Sequence, residues 1–223
     1  MSEYSAKFPL DFDFLISIFP TVGRRGKINK EKNLRGFIYT FNKYADYFGI
    51  DTPLETCHFV AQIAHESDQF NAYSEYASGA AYEGKKDLGN IYKGDGVKFK
   101  GGGPLQITGR RNYIEAGDEI LKLPFLSESE RKLFENNGIL KNPRLLEDPV
   151  WGTLSALIYW TKKDLNSLCK PDGSIVTIKR YSKGRWYNYN CSPLEAITRK
   201  INGGVNGFDE RKLYYSKLKK RIL

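Results

Sequence analysis

The run from Thr52 to Glu75, TPLETCHFVAQIAHESDQFNAYSE, constrains this chain more than any other stretch. It specifies an interior helix that ends on carboxylates. Thr52 is a good N-cap residue, Pro53 suits the first helical position, and Glu55 completes a capping box with Thr52. Leu54, Cys57, Val60, Ala61 and Ala64 then recur on one face at helical spacing, while Glu66 projects to the opposite side with Phe59, Gln62 and Ile63. A helix that is apolar on two faces belongs inside a molecule. A carboxyl at its end, flanked by Phe59 and Ile63, is expected to be partly desolvated, which suits a general acid. Glu75 lies nine positions further on.

The rest of the chain reads as mostly helical. Asn29 is a candidate cap for a helix with Leu34, Phe37, Ile38, Phe41, Ala45 and Phe48 inward, closed by Gly49. Residues 75–104 are rich in glycine and read as loops with a small β-lobe. In Leu105-Gln106-Ile107-Thr108, alternation sends Gln106 and Thr108 to one side, and Thr108 is also a candidate cap for a helix through Asn112, Tyr113 and Ile120. A charged connection over 122–147 holds a short helix near Glu128–Phe134. Asp148-Pro149 then opens a helix with Trp151, Leu154, Leu157 and Ile158 inward. Residues 169–191 carry a turn at Pro171-Asp172-Gly173 and predict a hairpin from Ile175–Ile178 and Arg185–Tyr189. Four cations (Lys179, Arg180, Lys183, Arg185) alternate there with Tyr181, Trp186, Tyr187 and Tyr189. Ser192 and Glu195 predict a second capping box, Asn202-Gly203-Gly204 closes that helix, and Asp209 is expected to cap the last one.

Composition narrows the classes. A chain of 223 residues can bury one sizeable core, and 40% hydrophobic with 14% aromatic residues excludes disorder. The formal charge of +9 suits a polyanionic partner: nucleic acid, an anionic membrane surface or a bacterial wall. A solvated basic surface without a partner is the alternative. No signal peptide or membrane-spanning segment is expected, so a protein made in the cytoplasm would reach a wall only after release or delivery by another agent. Cys57 reads as a core residue, and Cys169 and Cys191 could pair or stay free. His65-Glu66-Ser67 is not a zinc-protease motif. The run Gly79–Lys86 nearly matches a phosphate-binding loop but has Lys86 where Ser or Thr would hold magnesium. No metal or cofactor is expected.

Four segments in order carry a resemblance: His65-Glu66-Ser67 with Glu75 nine residues beyond Glu66, GDGVKFKGGGPLQITGRRNY at 94–113, INGG at 201–204 and DERKLYY at 209–215. Together they resemble the family 19 glycoside hydrolases, in the bacterial and phage endolysin-like branch, over about 52–113 and 143–215. The resemblance implies a mainly α (α+β) lysozyme-like fold, two helical portions flanking a cleft with a small β-lobe on one wall. It implies a single catalytic domain over 1–223 that inverts the anomeric centre as it cleaves β-1,4 bonds of an N-acetylhexosamine polymer. Glu66 would be the general acid and Glu75 the general base, with Glu83 competing for the second role. Thr108 would help hold the water, Gln106, Asn112 and Tyr113 would bind substrate, Asn202 would line the cleft, and Arg211 would orient a catalytic carboxylate. Two positions depart from the family pattern: Gly102 stands for its usual arginine, and Lys85 replaces the arginine of GRxDLGN. The 169–191 segment has no counterpart there. Peptidoglycan is the expected substrate of a monomer with no nucleic-acid partner, chitin is the alternative, and a non-catalytic wall- or nucleic-acid-binding protein is the third reading.

Overall fold

The structure, a computed structural model, describes residues 5–182 and 184–223. In chain order its elements are α1 (Phe12–Ile18), α2 (Gly26–Tyr44), α3 (Pro53–Glu66), α4 (Asp95–Lys98), α5 (Arg110–Leu121), α6 (Glu128–Phe134), α7 (Gly138–Lys141) and α8 (Pro149–Lys162). The hairpin of β1 (Val176–Ser182) and β2 (Arg185–Cys191) comes next, then α9 (Pro193–Asn202) and α10 (Phe208–Ile222). Lys183 lies outside the described residues.

Helix α3 runs through the middle, as its two apolar faces require. The Thr52–Glu55 capping box forms in both directions, and every residue from Thr56 to Ala64 is buried. Helix α10 packs along α3, and α2 packs along α8. Rings join these layers: Phe59 stacks on Phe37 and Phe41 of α2 and meets Trp160 of α8 edge-on at 5.1 Å. Truncating such a ring to alanine typically costs about 3–5 kcal/mol. No described helix is long and apolar enough to cross a membrane.

Several local expectations are corrected. Helix α2 begins at Gly26 without a side-chain cap, and Asn29 instead donates to the carbonyl of Asn71. Ser192 caps α9, but Glu195 turns to Arg199 and Tyr189 instead of closing a box. Gly207 is the N-cap of α10, with Asp209 in its first turn. The glycine-rich stretch forms no ladder: it holds two short 3-10 turns, Ala80–Tyr82 and Lys86–Leu88, the short helix α4, and isolated bridges from Gly102 to Ser74 and Ile107. Glycines 79, 84, 89 and 94 all take positive φ, which curls the chain where a strand needs it extended. The two-stranded sheet is the hairpin instead, antiparallel from Val176 opposite Cys191 to Ser182 opposite Arg185. Cys57, Cys169 and Cys191 are all free and buried. Cys169 turns its thiol to the Leu165 carbonyl while Cys191 sits opposite Val176, so the two do not pair.

Candidate active site

Glu66 is the last residue of α3, and the turn beyond it decides where Glu75 goes. Asp68, Gln69 and Phe70 have φ of 50°, 54° and 66°, three successive left-handed residues of which none is glycine. Each costs about 1–2 kcal/mol in isolation. Hydrogen bonds from the surrounding elements hold the turn. The Ser67 hydroxyl donates to Ile63 O (2.7 Å) and accepts from Phe70 N (3.0 Å). Buried Asn71 accepts from Gly23 N (2.7 Å) and donates to Thr21 O (3.0 Å) and Asp68 O (2.5 Å). From α2, Asn33 donates to Phe70 O and Asn29 to Asn71 O, both at 2.9 Å. The chain leaves this turn toward the glycine-rich wall, where Glu75 N donates to Gly101 O at 2.8 Å.

The surroundings of Glu66 differ from the apolar pocket expected. Phe59 and Ile63 are fully buried in the core, and the partner of the Glu66 carboxylate is the guanidinium of Arg211, itself 1% exposed. Arg211 also donates to Gln62 Oε1 and to Asn206 O, and Gln62 donates to Thr198 Oγ1 at 3.1 Å. This buried network ties α3, α9 and α10 together behind Glu66. Arg211 therefore stands where it can orient a carboxylate, and its charge is used inside the protein.

Glu75 is held on both oxygens. Gly101 N donates to Oε2 at 2.9 Å and the Tyr82 hydroxyl to Oε1 at 3.0 Å. Burial, together with the Glu75 carboxylate beside it, raises the Tyr82 pKa, so the phenol stays a donor. Glu83 has different work: Oε1 and Oε2 accept from Gly94 N (2.6 Å) and Gly96 N (2.8 Å), at the start of α4. Asp95 in the same turn is buried against Arg110 by two hydrogen bonds, at 2.9 and 2.6 Å. That guanidinium holds its carboxyl below the usual range.

A cavity of about 480 Å³ lies between this wall and the helices, with Gln106, Thr108 and Asn112 on one side and Ser155, Tyr159 and Ile201 among the residues on the other. Neither Glu66 nor Glu75 lines it; each reaches it through a neighbour. The Glu66 carboxylate adds to burial in raising the Tyr159 pKa, and Gly101, the donor to Glu75, lies against Gln106. Alternation is not what exposes Gln106 and Thr108, because Gln106 has φ of 51° in a turn. Gln106 Nε2 donates to Gly103 O (2.8 Å), and Thr108 Oγ1 donates to Gln106 O (2.9 Å) instead of capping α5. Asn112 donates to Thr108 O at 2.7 Å.

Two residues expected to meet substrate have partners within the protein. Tyr113 is 2% exposed and its hydroxyl donates to Lys100 O, so its ring supports the glycine wall and cannot meet a sugar. Asn202 spends its side chain on its own loop, accepting from Gly204 N (2.8 Å) and donating to Asn206 O (3.1 Å), while Ile201 lines the cavity. Sequence reasoning missed Gln62, Tyr82 and Tyr159 as site residues. Only Gln62 carried a signal, one helical turn before Glu66 on the same side.

No family model matches the chain. A relative from Haemophilus influenzae (strain ATCC 51907 / DSM 11121 / KW20 / Rd), described as a glycosyl hydrolase family 19 domain-containing protein, is 25% identical over 214 residues, covering 81% of this chain and 87% of the relative. Among solved structures, chitinase C from Streptomyces griseus HUT6037 superposes with a TM-score of 0.56 at 17% identity, covering 96% of this chain and 93% of that one. A mutant of chitinase C gives 0.57 at 18% identity with the same coverage. The motifs, the relative and the fold agree: the chain resembles the family 19 glycoside hydrolases along most of its length and has their lysozyme-like, helix-rich fold.

Proposed function

We propose that the chain is an inverting glycosidase that cleaves β-1,4 bonds of bacterial peptidoglycan, with Glu66 as general acid and Glu75 as general base. The observation that carries the assignment is the contrast between Glu75 and Glu83. Glu75 sits beside Gln106 with its oxygens fixed by one amide and one phenol, whereas both oxygens of Glu83 are spent on the turn that starts α4. A base for water must keep a lone pair free, and a carboxylate offers about four acceptor sites. Glu75 and Glu83 each accept two bonds and keep the remaining sites, so what separates them is place: Glu75 lies beside Gln106, a cavity residue, whereas Glu83 faces the turn that starts α4. Glu66, fixed by Arg211, donates its proton to the leaving oxygen as Glu75 takes one from water on the other face of the sugar. Thr108 would help hold that water, and Gln106 and Asn112 would bind substrate; all three line the cavity.

The net charge of +9 favours an anionic wall over neutral chitin. Chitin is the second reading because the solved relatives are chitinases. Action on a wall would come after release or delivery, and the protein would act as a monomer. The test is to incubate it with purified peptidoglycan and with chitin oligomers, identify fragments by mass spectrometry, and monitor the first product by proton NMR. Peptidoglycan fragments with an α-anomeric new reducing end are expected. A β-anomer overturns the inverting mechanism, and faster turnover of chitin overturns the substrate.

A further inference from the structure

The hairpin has two unlike faces. One packs on α9: Ile178 and Cys191 are buried, and Arg180 and Arg199 each lie 4.9 Å from the ring of Tyr189, whose hydroxyl donates to Glu195. The other presents Lys179, Tyr181 and Trp186 to solvent. Tyr181 and Trp186 stand opposite each other in register, ring centroids 5.4 Å apart, and are 61% and 68% exposed. Beside them a groove of about 650 Å³ runs between β1 and the last turn of α9, lined by Lys179, Arg180, Arg199 and Lys200 and, among the described residues, by no acidic one. Arg199 is paired with Glu195. The groove adjoins the cavity beside the carboxylates. Tyr159, which lines that cavity, donates to Lys200 O at 3.3 Å, and Lys200 Nζ donates to the carbonyl of Lys163, another cavity residue, at 3.1 Å.

We infer that this groove is a second subsite for the polymer that fills the cleft, selective for acidic sugar chains. Two exposed rings offer a stacking platform for the apolar face of a sugar, which an isolated surface tryptophan does not. Lys179, Arg180 and Lys200 offer charge to carboxylates that hang from the same chain. A neutral polymer can use the rings and gains nothing from the cations. The inference rests on peptidoglycan being the substrate, since its peptide and lactyl carboxylates supply the negative charge.

The test pellets the protein with purified insoluble peptidoglycan, and separately with chitin, at low and high salt. The parent is compared with Tyr181→Ala/Trp186→Ala and with Lys179→Gln/Arg180→Gln, each checked for an unchanged circular dichroism spectrum. A single Lys179→Gln variant covers the case in which loss of Arg180 disturbs the stacking on Tyr189. The ring variant should bind peptidoglycan at least about tenfold more weakly, the size of a lost hot-spot contact. The charge variants should bind peptidoglycan more weakly than the parent at low salt, lose less of that binding as salt rises, and bind chitin as the parent does. Variants that bind peptidoglycan as tightly as a parent that also degrades it remove the subsite and leave the substrate intact. A parent that releases fragments from chitin alone removes the substrate reading itself.

Discussion

Glu75 and Glu83 carry the same side chain on the same wall, and their partners separate them. Glu75→Gln should keep the fold and lose at least about a hundredfold in kcat, the lower range for acid–base catalysis, and Glu66→Gln should do the same. Glu83→Gln should instead lower Tm through the weakened start of α4, with kcat close to the parent's. A kcat that falls for Glu83→Gln and not for Glu75→Gln reverses the assignment. Gly101 gives a second probe at this scale. A Cβ built there meets Gln106 Oε1 at 2.6 Å and Glu75 Oε2 at 3.2 Å, and the Gln106 amide is pinned to Gly103 O. Gly101→Ala should therefore push Gln106 aside and cut kcat/KM by at least about tenfold, or about 1.4 kcal/mol. Steady-state kinetics with a melting curve checks this; unaltered kinetics would show that Gln106 is not placed for substrate. Gly102 explains one departure from the family pattern, since the space for a side chain is filled by the Tyr113 hydroxyl.

Among elements, the left-handed turn after α3 links the two carboxylates rigidly. Asn71 holds it to residues 21–23, so Asn71→Ala should destabilise the protein by about 2–3 kcal/mol, leaving buried partners unpaired. It should also lower kcat, because Glu75 loses its fixed approach to Glu66. Urea denaturation with kinetics on the still-folded fraction separates the two effects, and a stability loss with unaltered kcat would make the turn merely structural. This turn also marks the limit of what the sequence reveals. Thr52, Glu55 and Asp148 could be read because a cap is decided within three residues. The hairpin could be read because a β-branched run at Ile175–Ile178 and an aromatic run at Arg185–Tyr189 are local signals. No residue type at Asp68, Gln69 or Phe70 announces positive φ; the Ser67 and Asn71 side chains close the turn, and α2 and residues 21–23 hold it in place. Likewise the sequence offers Gln62 and Arg211 no sign of each other across 149 positions, and they meet only once α10 packs on α3. Alternation misled at 105–108, where hydrogen bonds to Gly103 and Ala72 hold Gln106 in a turn.

At the scale of the whole molecule, acid should act through the seam between α3 and α10. His58 is 1% exposed there, stacks on Tyr215 with centroids 4.4 Å apart, and has no hydrogen-bond partner on either ring nitrogen among the described residues. Burial lowers its pKa to about 4, with Asp172 opposing and Lys219 reinforcing the shift. An exposed histidine in the unfolded chain titrates near about 6.5. Between these values the unfolded chain takes up a proton that the folded protein refuses, so stability falls as pH drops from about 6.5 toward 4. At about 1.4 kcal/mol per unit, the full window amounts to roughly 3 kcal/mol. Asp95, held low by Arg110, contributes a further loss only at more acid pH, as its carboxylate protonates. His58→Phe keeps a ring against Tyr215 and cannot titrate. Its unfolding free energy, measured by urea at pH 7 and pH 4.5, should fall by about 2 kcal/mol less than the parent's. Parallel losses in the two proteins would mean that His58 is solvated or paired in solution, and that acid opens the molecule elsewhere.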